Sequence, residues 1–436
     1  MATHAAQAPP AASEPRPGAI RRVVVAASIG NCLEWFDFAV YGYLAATLGA
    51  LFFPAKDPTA SLLLSFAVFG AAFVARPLGG MVFGPLGDRL GRRGVLAFIV
   101  LLMSAATFCI GLLPTFATIG LLAPTLLVFL RLVQGLSCGG ELTGATTFVA
   151  EHAPDKRRGV LTSWIQVSAT FGFFLGLGAP ALFTALFSPE ALESWGWRIP
   201  FLLAGPLGLI GLYLRLRLED TPEFRDLKAK GKVVKAPLKA SFGNWRSIIS
   251  VGAVGIIVHL GYFLVLIYMP TYLTETLKFE PSEAFRATAG ALVVDMIVIP
   301  LAAMLSDRIG RKPVLITAGV AFVVLTIPLF LLIAQGGMSG VLGLAALGAL
   351  HGLYLGAVAA TFAEIFVTQV RFGAFSIGHN VSAAIFGGGA PFLATYLVSA
   401  TGSKLAPAFI IVLGALASLV AVTKLRETAG RPLRQA

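Results

Sequence analysis

The stretch "GPLGDRLGRR" at residues 84–93 is repeated, with changes, as "AMLSDRIGRK" at 303–312. Each copy closes an apolar run and sets an acid, a glycine and paired bases in a fixed order. A second pair stands at nearly the same offset: "EHAPDKRRG" (151–159) and "EIFVTQVRFG" (364–373). Glu151 precedes Arg158 by seven residues, as Glu364 precedes Arg371. Two repeats sharing nearly one offset indicate two related halves.

The residues between the repeats decide what kind of halves these are. Of 436 residues, 57% are hydrophobic and 12% charged, with a mean hydropathy of +0.85. Soluble domains carry about 25% charged residues, so this chain lacks the polar surface to face water. Apolar runs of about 20 residues cross a bilayer as helices. The sequence predicts twelve, over 22–49, 60–86, 94–114, 118–149, 159–187, 198–216, 247–274, 286–305, 313–334, 340–366, 373–399 and 406–424. The expected fold class is an all-α membrane protein with twelve transmembrane helices in two six-helix halves. The expected division is a disordered cytoplasmic tail (1–20), an amino-terminal half (21–216), a cytoplasmic linker (217–246), a carboxy-terminal half (247–425) and a second tail (426–436).

Charge orients the chain. Lys and Arg gather in loops on one side; only Lys56, Arg198, Lys278, Arg286 and Lys404 fall on the other, and Arg76 and Arg131 lie inside spans. The positive-inside rule then places both termini in the cytoplasm, for a multi-pass protein of a bacterial inner membrane. It also accounts for the net charge of +12 without nucleic acid, whose binders concentrate bases on a soluble face. Cys32, Cys109 and Cys138 all lie in apolar segments and suggest neither a disulfide framework nor a metal site.

Parallel halves about an axis along the membrane normal are a transporter architecture, with the substrate site between them near the midplane. Gly91 and Gly310 suit the tight turn of each repeat loop. Asp88, Arg89, Arg92, Glu151 and Arg158, with Asp307, Arg308, Arg311, Glu364 and Arg371, form a candidate gating latch, paired in one access state and parted in the other. A simple positive-inside anchor is the alternative.

Charges inside spans default to functional hypotheses. Glu34 lies twelve residues beyond Arg22, about 18 Å deep at 1.5 Å per residue. Arg76 and Asp295 each lie twelve residues before the repeat acids Asp88 and Asp307, and His259 lies thirteen beyond Arg246. One layer near the midplane is expected. In "NCLEWFDFAVYGY" (31–43), Asn31, Glu34, Asp37 and Tyr41 follow at steps of three and four, which suggests one polar stripe. Glu34, Asp37, Glu141 and Asp295 are the proton-coupling candidates, with a structural ion pair to Arg76 as the alternative for the first two. The substrate-binding candidates are Asn31, Tyr41, Arg76, Arg131, Gln134, Gln166, His259, Tyr262, His351, Tyr354, His379 and Asn380. Arg131 has the fork to hold a carboxylate, though coupling or packing fits it equally. Histidines titrate near physiological pH, and Gln166 and His379 sit at the repeat offset. The spacings Gly135/Gly139, Gly140/Gly144 and Gly172/Gly176 suit close helix approach. "FGGGAP" (386–391) and Pro270 are candidate bends.

The repeat loops and "RLVQG" (131–135) resemble the major facilitator superfamily. "GNCLEWFDF" (30–38), "FAVFGAAFVARPLGG" (66–80), "ESWGWRIPF" (193–201) and "LEDTPEF" (218–224) are similar to its metabolite–proton symporter branch. "NWRSII", "YMPTYL" and "AAIFGGGAP" lean towards its citrate carriers. The resemblance covers residues 20 to 425 and implies proton-coupled uptake of an organic acid such as citrate. A zwitterion such as proline or betaine, or an aromatic acid such as shikimate, is the alternative cargo, and sodium the alternative ion. "GLSCG" (135–139) fits a hydrolase elbow, but lies within a span rather than on a strand–turn–helix. No phosphate loop or zinc motif occurs, so a secondary carrier is expected rather than an enzyme or a pump, with no cofactor and no metal, and as a monomer.

Overall fold

The computed structural model describes residues 17–217, 220–229, 231 and 236–433. Most of the expected tail over 1–20, parts of the linker over 217–246 and the end of the second tail therefore lie outside the described residues. Twelve helices among the described residues are long and apolar enough to cross a membrane. They are α1 Ile20–Tyr43, α2 Pro58–Leu90, α3 Arg92–Leu112, α4 Leu122–His152, α5 Asp155–Ala179, α6 Gly196–Leu216, α7 Trp245–Ile267, α8 Pro281–Ile309, α9 Arg311–Ile333, α10 Gly337–Ile365, α11 Arg371–Thr401 and α12 Ala406–Lys424. A helix satisfies its backbone within itself, as lipid demands. Large apolar side chains such as Val74, Leu209 and Leu413 stay exposed on the outer faces, where acyl chains would cover them.

The first six helices and the last six use the same neighbours. Helix α1 packs on α5, α2 on α4 and α3 on α6, and six helices later α7 packs on α11, α8 on α10 and α9 on α12. The two sets meet chiefly through α2 against α11 and α5 against α8. Close approach is set by glycine. A Cβ on Gly135 would stand 1.8 Å from the Ala72 carbonyl oxygen, and one on Gly79 1.8 Å from that of Leu136. This backbone contact between α2 and α4 brings Arg76 and Arg131 into one bundle.

Three spans are interrupted among the described residues. Helix α4 breaks at Gly139–Gly140, between Leu122–Cys138 and Glu141–His152. Helix α7 widens to a π-helix over Gly261–Ile267 and α11 over Ala384–Gly388. The latter overlaps the expected "FGGGAP" bend (386–391) at residues 386–388. Such π-segments recur at functional sites. Here both flank the line where α7 and α11 face the first six helices. The first span also ends sooner than expected, at Tyr43, and a separate short helix covers Ala45–Phe52.

Candidate functional site

The repeat loops adopt one conformation, with φ of 107° at Gly91 and 110° at Gly310. Each turn delivers its acid to the other half. Asp88 Oδ2 accepts the backbone N–H of Gly373 at 2.8 Å, at the start of α11. Asp307 accepts those of Gly159 at 3.0 Å and Val160 at 2.9 Å, at the start of α5. A carboxylate at a helix N-terminus meets unsatisfied donors and the positive end of the dipole. The second repeat adds ion pairs. Glu151 pairs with Arg92 of its own half and with Arg371 of the other, the latter at 2.6 Å. Glu364 pairs with Arg311 and, across the halves, with Arg158, both at 3.1 Å. Eight of the ten nominated latch residues thus meet in two equivalent clusters. Arg89 and Arg308 do not: both are exposed and make no ion pair among the described residues. Each follows its acid by one residue, which turns it about 100° away from the interface.

Two segments beyond the spans brace the clusters. Asp220 accepts the N–H groups of Arg92 (2.8 Å) and Arg93 (3.2 Å), while Thr221 accepts a bond from the Arg92 guanidinium at 3.0 Å. After α12, Glu427 accepts those of Arg311 and Lys312, each at 2.9 Å, and Thr428 donates to Glu364 at 2.6 Å. Burial alone would raise the Glu427 carboxyl. Backbone N–H bonds, from Ala429, Arg311, Lys312 and Thr428, outweigh it and hold the group below its ordinary 4.5. The acid–Thr pairs in "LEDT" and "LRET" are a third repeat that the sequence reading missed.

Further in, polar groups gather where α1, α2, α7 and α11 converge. Glu34 and Arg76 form a fully buried ion pair. Glu34 Oε2 and the Arg76 Nε and Nη1 have no hydrogen-bond partner among the described residues. The Arg76 guanidinium lies 5.1–5.4 Å from the ring centroids of Trp35, Phe38 and Phe73. The rings of His259 and His379 stand 4.7 Å apart, and all four of their nitrogens, like Trp35 Nε1, have no hydrogen-bond partner among the described residues. Buried polar groups are nearly always satisfied, so this many open donors and acceptors give the cluster the capacity to hold a polar ligand.

A second chain crosses the interface beside it. Asp295 accepts from Thr170 at 2.6 Å and meets His351 Nδ1 at 3.1 Å. The His351 ring contacts Tyr262, whose hydroxyl donates to Gln166 at 3.2 Å and whose ring stacks on Trp35 at 5.1 Å. The expected layer of Glu34, Arg76, Asp295 and His259 resolves into these two adjoining clusters.

The remaining nominees sit elsewhere. Asn31 donates to Ile165 O (2.8 Å) and Ser168 (3.0 Å) and ties α1 to α5. Asp37 accepts from Thr107 of α3 at 2.9 Å, and Tyr41 donates to Ser65 O of α2 at 3.3 Å. These contacts correct the single stripe: each three-residue step turns the helix by about −60°, so the residues fan out to three neighbours. Arg131 bonds Gln134, which donates to Thr107 at 2.8 Å, so Arg131 reaches Asp37 through two side chains. Phe38 lies 5.0 Å from Arg131 and 5.2 Å from Arg76 and separates the two. Glu141 pairs with Arg215 of α6, inside the first half. Tyr354 donates to Val254 O at 2.8 Å, and Asn380 to Gly139 O at 2.5 Å in the break of α4; both are packing bonds.

The model of the sugar (and other) transporter family matches residues 23–236 and 223–436. The proline/betaine transporter of Salmonella typhimurium is 40% identical over 430 residues, covering 96% of this chain and 86% of that protein. The chain belongs to the sugar (and other) transporter family. Another member, the glycine betaine/proline/ectoine/pipecolic acid transporter OusA of Dickeya dadantii, is 39% identical with the same coverage. The ectoine/proline transporter ProP of Corynebacterium glutamicum is 37% identical, covering 96% of this chain and 86% of its own length. Among solved structures, the proton:xylose symporter XylE of the major facilitator superfamily, bound to 6-bromo-6-deoxy-D-glucose, aligns with a TM-score of 0.79. That likeness covers 95% of this chain and 98% of the other at 20% identity, and shows the fold. The protein is a transporter with the major facilitator fold, not an enzyme. The narrower likeness to citrate carriers gives way, since these relatives are named for proline, betaine and ectoine.

Proposed function

We propose that the protein carries a small zwitterion of the proline/betaine class together with a proton, through a bacterial inner membrane, with both termini in the cytoplasm. The reading rests first on identity of 37–40% to proline, betaine and ectoine transporters over nearly the whole chain. The site supports it. Glu34 and Arg76 neutralise each other, yet each keeps free valences: one carboxylate oxygen and two guanidinium nitrogens. An ion pair open at both ends is complementary to a dipolar ligand. The ligand carboxylate goes to Arg76 and the histidines; its ammonium goes to Glu34 and the faces of Trp35, Phe38 and Phe73, since rings attract cations. A tricarboxylate needs an excess of positive charge that this pair does not supply.

Asp37 is the proton site in this reading. Thr107 Oγ1 lies 2.9 Å from Asp37 Oδ2 and 3.1 Å from Met103 O. Its single hydroxyl proton serves the ionised carboxylate. When Asp37 is protonated it donates to Thr107 instead, and that hydroxyl turns to Met103 O while its second lone pair keeps the bond from Gln134. The latch clusters hold the cytoplasmic side closed. On the opposite side, a cavity of about 640 Å³, lined by Ser61, Glu275, Lys278, Thr395 and Lys404 among others, is the vestibule. The bond from Tyr43 to Leu266 O at 3.0 Å lies between it and the centre. Uptake of labelled proline, glycine betaine and citrate into proteoliposomes, with and without an inward proton gradient, tests the proposal. Gradient-driven uptake of the zwitterions alone is expected; uptake of citrate alone, or indifference to the gradient, would sink it.

A further inference from the structure

A cavity of about 1310 Å³, lined by none of the residues of the Glu34–Arg76 cluster, runs along α1 and α5 at the side that carries the basic loops. Its walls are apolar and open to the lipid: Val25, Trp164 and Phe171 are 49%, 45% and 43% exposed. From Arg21 at its mouth to Leu33 at its end the groove follows twelve residues of α1, about 18 Å. One leaflet of a hydrocarbon core of about 30 Å is about 15 Å deep, so the groove has the depth of an acyl chain. Three bases, Arg21, Lys156 and Arg157, stand at the mouth, all exposed and none in an ion pair among the described residues. The acid beside them, Asp155, already holds Arg158.

We propose that this groove binds an anionic diacyl phospholipid of the cytoplasmic leaflet, with one acyl chain between α1 and α5 and its phosphate on Arg21, Lys156 and Arg157. Charge complementarity at the mouth and apolar depth behind it match that one molecule at both ends. The position links it to the latch. Asp155 and Gly430 line the same mouth, and Arg158, held by Asp155, reaches Glu364 in the other half and the carbonyl of Arg431. A bound headgroup therefore favours the latched state.

Trp164 reports on the groove. Phosphatidylglycerol with brominated acyl chains, added to the purified full-length protein, quenches the Trp164 share of the fluorescence, identified by loss of that share in Trp164→Phe. We expect half-quenching at a concentration at least tenfold lower than with brominated phosphatidylcholine. Each base near an anionic surface is worth about fivefold, so R21Q/K156Q/R157Q should raise that concentration about a hundredfold. These exposed residues leave the melting temperature unchanged. Equal quenching by the two lipids, or no effect of the triple substitution, overturns the proposal. So does displacement by inorganic phosphate, which would make the site one for free anions. Quenching that appears only after deletion of residues 1–16 would give the groove to the chain's own tail.

Discussion

Glu151→Gln tests the latch at its most connected point. Glu151 holds Arg92 and Arg371 at once, and all three side chains are buried. Without the carboxylate, Arg371 keeps the carbonyls of Ala363 (2.9 Å) and Phe366 (3.1 Å), and Arg92 keeps Asp88 at 3.5 Å and Thr221. Breaking a buried pair from one side costs about 3–5 kcal/mol. The remaining partners argue for the lower end, about 3 kcal/mol. If the pairs exist only in the closed state, the whole cost falls there and the population with the cytoplasmic side open rises about a hundredfold, at 1.4 kcal/mol per tenfold. Ser376 lies behind the latch, sealed against Thr143 of the other half at 2.5 Å. A cysteine placed there, in a chain with Cys32, Cys109 and Cys138 replaced, should react with maleimide ten to a hundred times faster in the Glu151→Gln background. Unchanged labelling, together with a lowered melting temperature, would mean that the cluster only stabilises the fold and would refute the gating argument.

Other outcomes follow from the same contacts. Glu34→Gln leaves Arg76 buried without its counter-charge, so zwitterion binding should fall at least tenfold in an equilibrium binding assay; wild-type affinity would remove Glu34 from the site. Trp35→Leu removes one of three rings around the proposed ammonium position, worth about 0.5–2 kcal/mol. The Km for glycine betaine uptake should rise about two- to thirtyfold, while an unchanged Km would place the cation elsewhere. Asp37→Asn should abolish accumulation driven by a pH gradient yet spare substrate exchange across proteoliposomes; intact accumulation would exclude Asp37 as the proton site. Glu427 has its folded-state pKa depressed, so its contribution is full above its ordinary value of 4.5 and is lost as pH falls through the folded value. The melting temperatures of wild type and Glu427→Gln should differ at neutral pH and converge in acid. A constant difference would deny the cap its charge.

The sequence made the spans legible because hydropathy alone decides what lipid accepts, and the latch legible because its acids recur with its bases at one spacing. Hydropathy does not say which helices meet. Glu151 and Arg371 belong to different halves, and the packing of α11 against α2 and α4 brings them together. The stripe of Asn31, Glu34, Asp37 and Tyr41 disperses because each three-residue step turns the helix by about −60°. Arg215 escaped notice near the end of α6, where a base reads as an interfacial anchor, yet it neutralises Glu141. Trp35, Phe38 and Phe73 look like ordinary lipid-facing residues, and Thr107 and Thr170 like neutral filler. Their part in the site comes from which groups they face, and no composition signal marks that.

The central claim is that the open Glu34–Arg76 pair receives a zwitterion. Displacement of labelled proline from the purified protein tests it most directly. Glycine betaine should displace proline and citrate should not, and Arg76→Gln should bind neither zwitterion. Displacement by citrate at the concentration that suffices for glycine betaine, or wild-type proline affinity in Arg76→Gln, would contradict it.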